Sequence, residues 1–377
     1  MKVLHIITGL NDGGAEAVLY RLATSKNSTF KHSVISLMDG GKYGPLLEEV
    51  GVDVYCLNIQ RSGLNVFFVF KIFSLIRKLN PDAVQTWMFH GDLFGGLFAR
   101  LSGFKNIVWG VHHTTLVKGE SKRSTIFVAK INALLSHFVP NKIIYCAEKS
   151  REVQESIGFC TKKGIVASNG YDVSQYVYNE QLGIDFREEL SLSNRFLIGH
   201  VGRYDPLKDY SNFLAGLGVL KKVRKDFKSI LVGSFLDEKN YELNKLILKN
   251  DIKNNVLLCG RRSDIPLVMN GFDVFVLSSI SEAFPNVLNE AMACGTPCIT
   301  TDVGDAARIV GDTGWVVPAR DPQALAKAIS EAWYEKDNLP VQWLARKKAC
   351  RERIVNNFSL EKMVSDYESV WMEGIKV

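Results

Sequence analysis

The sequence predicts an α/β protein built from two doubly wound, Rossmann-like domains, and three observations carry that prediction. The chain has 377 residues, 46% of them apolar and 23% charged, which is material for more than one core at a typical domain size of about 150 residues. Short β-branched runs alternate with helical patterns through both halves. The runs are continuously apolar, as in parallel sheets covered on both faces, where a half-exposed strand would alternate. The same composition excludes a disordered chain, a collagen-like chain and a disulfide scaffold.

Taken in order, the first half supplies strands at Val3–Ile7, Ser33–Leu37, Ala83–Thr86, Ile107–Val111 and Lys142–Cys146, and the second at Phe196–Val201, Ser229–Val232, Val256–Leu258, Val274–Leu277 and Pro297–Thr301. The opening Met1–Ile7 is too short for a signal peptide and reads as a buried first strand. No stretch of about 18 residues is free of charged and strongly polar residues, so no bilayer span is expected. Seven cysteines, Cys56, Cys146, Cys160, Cys259, Cys294, Cys298 and Cys350, form no Cys-x-x-Cys pair. They predict thiols in a reducing cytoplasm and no structural zinc site.

The most polar stretch, Asp172 to Asn194, is the expected hinge. It separates an N-terminal domain over 1–180 from a C-terminal domain over 181–357. A last amphipathic segment, 358–377, is expected to form a helix that docks back on the N-terminal domain. The formal charge is +6, from 46 basic and 40 acidic residues. Residues 1–180 hold 20 basic against 14 acidic residues, and the remainder are balanced. An excess of that size does not build a nucleic-acid groove; it suits an anionic substrate or an anionic membrane surface, and equally an uneven ordinary surface.

Three motifs sit where open α/β sheets bind ligands, after strands and before helices. Thr8 to Glu16 places Gly13 and Gly14 at the start of a helix, where backbone amides meet a phosphate. The Gly-x-Gly-x-x-Gly dinucleotide spacing is absent, and a tight strand-to-helix turn needs the same glycines. In Gly199 to Asp209, Arg203 and Lys208 stand five apart across a Pro206 turn and aim two cations at one anionic group. In Ser281 to Pro297, Glu282 occupies a loop and Glu290 lies one turn inside the helix that starts near Asn286. The first suits sugar hydroxyls and the second a ribose diol.

In this combination the chain resembles the retaining nucleotide-sugar glycosyltransferases of family 4, with the two-domain GT-B fold. The residues that carry the likeness are Gly13-Gly14-Ala15-Glu16, Trp87 to Arg100 with Trp109 to His113, Ser168 to Asp172, Gly202-Arg203 to Lys208, Val232-Gly233, Gly260 to Ile265, and Glu282 to Glu290. More narrowly it resembles bacterial members that build lipopolysaccharide O-antigen, capsule or exopolysaccharide. The resemblance implies that Arg203 and Lys208 hold the donor diphosphate and Glu290 the ribose. It implies that Glu282, with the backbone over Phe284, Pro285, Asn286 and Val287, holds the donor sugar and distal phosphate. Gly13 and Gly14 would close over the diphosphate, the backbone near Arg261 and Arg262 would frame the base, and His113, ahead of His112, would be the active-site histidine. Tyr171 departs from the smaller aliphatic common at its position in this family.

Departure of a nucleoside diphosphate develops negative charge, which Arg203 and Lys208 would stabilise. The chain contains no Asp-x-Asp, so turnover without a metal and without any cofactor is expected, with a nucleoside-diphosphate sugar as donor, UDP before GDP. Glu282 is the one motif acid near the sugar, and the resemblance implies that it meets the hydroxyls from the wrong side for a nucleophile, so a same-face reaction is expected, with the donor phosphate taking the proton. In the charged N-terminal half, Lys118, Lys122 and Arg123 are the expected contacts for a saccharide acceptor on a polyprenyl diphosphate. Leu64–Leu79 reads either as a membrane-surface helix or as a helix packed on the sheet. Cytoplasmic residence, with peripheral attachment at the inner face of the plasma membrane, follows. A sugar-nucleotide epimerase and a catalytically silent scaffold of the same fold are the competing readings.

Overall fold

The computed structural model describes residues 1–59, 66–112, 123–282 and 284–375, and for 66–69 and 123 the main chain alone. The chain packs as two compact units. One runs from Met1 to Gly170 and resumes at Leu360; the other is Tyr171–Ser359. The first crossing therefore falls between Gly170 and Tyr171, ahead of the polar stretch.

In the first unit β1 (Lys2–Ile7), β2 (Lys31–Ser36), β3 (Asp53–Cys56), β4 (Ala83–Trp87), β5 (Ile107–Val111), β6 (Lys142–Tyr145) and β7 (Gly164–Val166) form a sheet in the order β3-β2-β1-β4-β5-β6-β7. Every neighbouring pair is parallel, with Val3 opposite His32 on one side and Ala83 on the other. The winding reverses between β1 and β4, which opens a crevice at their carboxyl ends. Strand side chains alternate between two apolar layers. Leu4, Ile6, Val84 and Trp109 pack against Ile72 and Ile76 of helix Val66–Leu79 and Ala129 and Ala133 of helix Arg123–Leu135. Helix Val66–Leu79 thus covers the sheet through Ile72 and Ile76.

On the other face Val3, Ile7, Trp87 and Val108 meet Val18, Leu19 and Leu22 of helix Gly14–Ala23. They also meet Met363, Val364, Tyr367, Val370 and Trp371 of helix Leu360–Ile375, so the last helix belongs to this core. A directed chain of hydrogen bonds holds it there. Trp87 Nε1 donates to His5 Nδ1 at 3.1 Å, His5 Nε2 lies 2.9 Å from His32 Nδ1, His32 Nε2 lies 2.8 Å from Ser28 Oγ, and Ser28 donates to Glu368 Oε1 at 2.8 Å. The indole and the carboxylate fix both ends, so each histidine is neutral with its proton on Nε2. Burial drives both pKa values down, His5 well below the usual range and His32 to about 4.

The second unit repeats the topology with β8 (Phe196–Val201), β9 (Phe227–Val232), β10 (Val256–Gly260), β11 (Val274–Leu277), β12 (Cys298–Thr301) and β13 (Trp315–Val317). Their order is β10-β9-β8-β11-β12-β13, all parallel. The switch point lies between β8 and β11. Ile198, Leu231, Val274 and Ile299 pack under Phe213, Leu217, Leu325 and Ile329.

Two sequence expectations need correction. The strands β3, β7 and β13 were not anticipated; all three are sheet edges of three or four residues, and an edge carries less apolar signal than a central strand. The polar stretch taken as hinge contains helix Glu180–Glu189, capped by Asn179, whose side chain accepts the Gln181 and Leu182 amides. That helix buries little beyond Gly183 and Phe186, hence its weak periodicity.

Candidate active site

The second unit builds its site from two loops that meet at the β8/β11 switch point. Beyond β8, the Gly202 N–H donates to Val232 O at 2.9 Å. A Cβ on Gly233 would stand 1.9 Å from Gly202 O, and its φ is +148°, so only glycine lets the exit of β9 lie against the Arg203 loop. Asp205 caps the turn Pro206–Lys208 by accepting the Leu207 amide at 2.9 Å. Its other oxygen receives the Arg203 guanidinium, with Nε at 3.1 Å. Asp209, left-handed at φ 49°, caps helix Tyr210–Lys221 through the Asn212 amide. Lys208 is thereby fixed between two caps while Arg203 remains 71% exposed.

After β11 the second loop is stitched to that turn. Ser278 Oγ donates to Lys208 O at 2.8 Å, the Ile280 amide to Leu207 O at 2.9 Å, and Thr301 Oγ1 to Ser279 O at 2.6 Å. The two loops bring Lys208 Nζ to 2.6 Å from Glu282 Oε1, and Ser279 Oγ donates to the same oxygen at 2.7 Å. The pair keeps contact with water, at 21% and 15% side-chain exposure. An ammonium has three N–H donors, so Lys208 has capacity beyond Glu282. Beneath lies His200, fully buried, whose Nδ1–H donates to Val276 O at 3.0 Å. Burial and then the Lys208 charge push its pKa down to about 3, so it stays neutral.

Helix Asn286–Ala293 follows the Glu282 loop, with no side-chain cap at its start. Pro285 has no N–H, so the amides of the expected phosphate contact are those of Phe284, Asn286 and Val287. This corrects the expectation for Pro285, which contributes only its fixed φ. Asn286, Val287 and Glu290 share the partly exposed face of the helix, opposite buried Leu288 and Met292. Burial, aided by the Glu290 charge, raises the Cys294 thiol to about 12. Arg261, at the end of β10, is exposed. The Arg262 side chain serves the fold instead: its guanidinium binds Glu189 at 2.6 Å and Asp264 at 2.5 Å.

In the first unit Gly13 caps helix Gly14–Ala23 with extended backbone, and a Cβ on Gly14 would meet nothing within 4 Å. His112 stacks on Trp87 with ring centroids 5.1 Å apart. His113, Lys118 and Lys122 lie outside the described residues, as does the side chain of Arg123. The structure thus unites Lys208 with Glu282, keeps Arg203 on the Lys208 loop turned toward Asp205, and places Glu290 on the helix that follows. Sequence reasoning overlooked Ser279, Asp205 and His200. A serine pair directly after a buried strand, an Asp-Pro turn and a histidine inside an apolar strand were the available signals.

Residues 12–175 match the family described as Glycosyltransferase Family 4, and residues 184–349 match Glycosyl transferases group 1. The chain is a glycosyltransferase carrying both of these domains. This glycosyltransferase is 26% identical to the putative glycosyltransferase EpsF of Bacillus subtilis over 80% of this chain and 79% of the relative. It is 25% identical to the UDP-Gal:alpha-D-GlcNAc-diphosphoundecaprenol alpha-1,3-galactosyltransferase of Escherichia coli over 100% of this chain and 97% of the relative. Among solved structures, Anabaena HepE in complex with UDP superposes with a TM-score of 0.87 at 22% identity, covering 99% of this chain and all of HepE. That likeness establishes the GT-B fold. No helix among the described residues is long and apolar enough to cross a membrane.

Proposed function

We propose that this glycosyltransferase moves a hexose or N-acetylhexosamine from a UDP-sugar to a saccharide carried on a polyprenyl diphosphate, with retention of configuration and without a metal ion. The observation that carries the reading is the meeting of Lys208 and Glu282, with Ser279, at the carboxyl ends of β8 and β11. A cation for a departing diphosphate and a carboxylate for sugar hydroxyls stand side by side there. The names of the Escherichia coli relative and of the UDP-bound HepE structure favour the same donor and acceptor class.

Lys208 and Arg203 hold the diphosphate and stabilise the charge it gains as the bond to the anomeric carbon breaks. The amides of Asn286 and Val287 at a helix start add to that field. Glu282 orients sugar hydroxyls. Its Oε1 already accepts two hydrogen bonds, which lowers its nucleophilicity and argues against a covalent glycosyl intermediate. In the same-face reaction the bond from the anomeric carbon to phosphate oxygen breaks, the bond to the acceptor oxygen forms, and the departing phosphate oxygen takes the acceptor's proton. Glu290 holds the ribose; in the first unit Gly13 and Gly14 open a helix start to a phosphate, and His113 is the active-site histidine of this reading. The acceptor diphosphate or anionic lipid meets Lys118, Lys122 and Arg123 on the first unit.

The test is a transfer assay with UDP- and GDP-sugars and a synthetic lipid-linked saccharide, with the product's anomeric configuration read by NMR. Expected are UDP release that requires acceptor, an anomeric centre matching the donor, and rates unchanged by EDTA. An inverted product, or activity that EDTA abolishes and a divalent ion restores, overturns the mechanism. Co-sedimentation with liposomes that does not rise with anionic lipid content removes the membrane part.

A further inference from the structure

The turn after β9 contains a residue that neither backbone nor core explains. Phe235 has φ +63°, and among the described residues it is the one aromatic in the left-handed region. The residue is 68% exposed. The Leu236 amide donates to Gly233 O at 3.2 Å, so Phe235 occupies the third position of a four-residue turn, where positive φ ordinarily selects glycine. Asn240 Nδ2 donates to Phe235 O at 2.8 Å and holds the turn in place. A large ring on a left-handed backbone, directed away from the core, serves no folding purpose visible in this unit.

The turn's neighbours supply a purpose. The Tyr204 amide donates to Ser234 O at 2.9 Å, tying the turn to the residue after Arg203. On the other side Gly233 N–H donates to Gly260 O at 2.7 Å and Gly260 N–H to Leu236 O at 2.9 Å, tying it to the residue before Arg261. Strand β9 lies between β8 and β10. A nucleoside diphosphate with its phosphates on Arg203 and Lys208 and its base toward Arg261 must pass over the end of β9. Two strand spacings, about 10 Å, are the distance to be crossed.

Building on the donor reading above, we propose that the Phe235 ring is a stacking platform for the donor's nucleobase and sets the enzyme's hold on the nucleoside. Stacking depends on the π-face, so the platform contributes affinity for the base and ribose part and nothing to the diphosphate.

Calorimetric titration of UDP, UMP and inorganic pyrophosphate into the wild type, Phe235→Gly, Phe235→Tyr and Lys208→Ala tests this. Phe235→Gly should bind UDP and UMP about ten-fold more weakly and pyrophosphate as before, while its melting temperature holds or rises because glycine accepts the backbone angle. Phe235→Tyr should bind all three as the wild type does. Lys208→Ala should lose affinity for UDP and pyrophosphate together. A folded Phe235→Gly variant that binds UDP and UMP with wild-type affinity overturns the platform alone. A folded wild type that binds no uridine nucleotide overturns the donor reading and the platform with it.

Discussion

Two sheets with one topology place their polar side chains in different surroundings. At β8/β11 an ammonium and a carboxylate meet at 2.6 Å and keep contact with water. In the first unit His5 on β1 and His32 on β2 are held neutral by burial, and burial raises the carboxyl pKa of Asp92, which accepts from Thr86 Oγ1 at 2.6 Å. The lesson concerns solvent. A charged pair survives at the second crevice because water still reaches it, whereas complete burial beneath the first sheet favours uncharged histidines. The second unit therefore offers a field for a charged ligand, while the first keeps these imidazoles and their aromatic neighbours inside its core.

The contrast can be broken hardest at the C-terminal helix, on which only the first unit's core depends. Trp371 is fully buried, donates to Gln85 Oε1 at 3.1 Å and contacts the rings of Phe30, His5 and Tyr367. Trp371→Ala should cost the first unit about 3–5 kcal/mol. Two compact units need not unfold in one step, so denaturation followed by hydrogen exchange should show the loss confined to residues outside 171–359. Equal loss in both units would mean that the division into units has no energetic meaning.

Acid should separate the units next. His32 has its pKa lowered from 6.5 to about 4, so between those values the unfolded chain binds a proton that the native chain refuses. The contribution is present above pH 6.5 and is lost as the pH falls toward 4, amounting to about 3 kcal/mol from His32 alone. His5 acts in the same direction. His200 does so in the second unit over a window reaching about pH 3. Stability of each unit measured by urea between pH 7 and 4 should fall, and His32→Gln should flatten the slope of the first unit. An unchanged slope in that variant would remove His32 from the account.

Loss of Lys208 sharpens the other side of the comparison. Lys208→Ala should lower kcat/KM for transfer by about a hundred-fold, the scale of one preorganised charge at a leaving group. Arg203→Ala should cost less, because that guanidinium is exposed and already engaged by Asp205. A Lys208→Ala enzyme within two-fold of wild type would mean that the ion pair with Glu282 is structural.

The second site was largely legible in the sequence because its chemistry sits in contiguous loops next to strongly apolar central strands: Arg203 and Lys208 after Phe196–Val201, Glu282 after Val274–Leu277. What escaped is what tertiary packing creates. His5 and His32 lie 27 positions apart and become partners only when β1 and β2 pair. Ser279 looks like any loop serine until its hydroxyl reaches Glu282. Phe235 reads as an ordinary apolar residue, since a backbone angle leaves no mark in composition. The edge strand Trp315–Val317 was invisible because three residues with one neighbour carry too little pattern.

The smallest effect tests the stretch whose polarity suggested a linker. Asn179 caps helix Glu180–Glu189 with its side-chain oxygen, and its own amide donates to Asn270 Oδ1 at 2.8 Å. Asn179→Ala removes the cap and leaves that main-chain bond intact, so the expected cost is about 1 kcal/mol. If the stretch is integral to the second unit, the cost appears in that unit's global unfolding, because Phe186 of the same helix is fully buried against Gly271 and Phe272. A linker would absorb the change by local fraying without moving the unfolding midpoint. Hydrophobic periodicity fails as a guide for this helix because it is attached by one aromatic ring, one cap and two ion pairs, Arg187 with Asp273 at 2.9 Å and Glu189 with Arg262 at 2.6 Å.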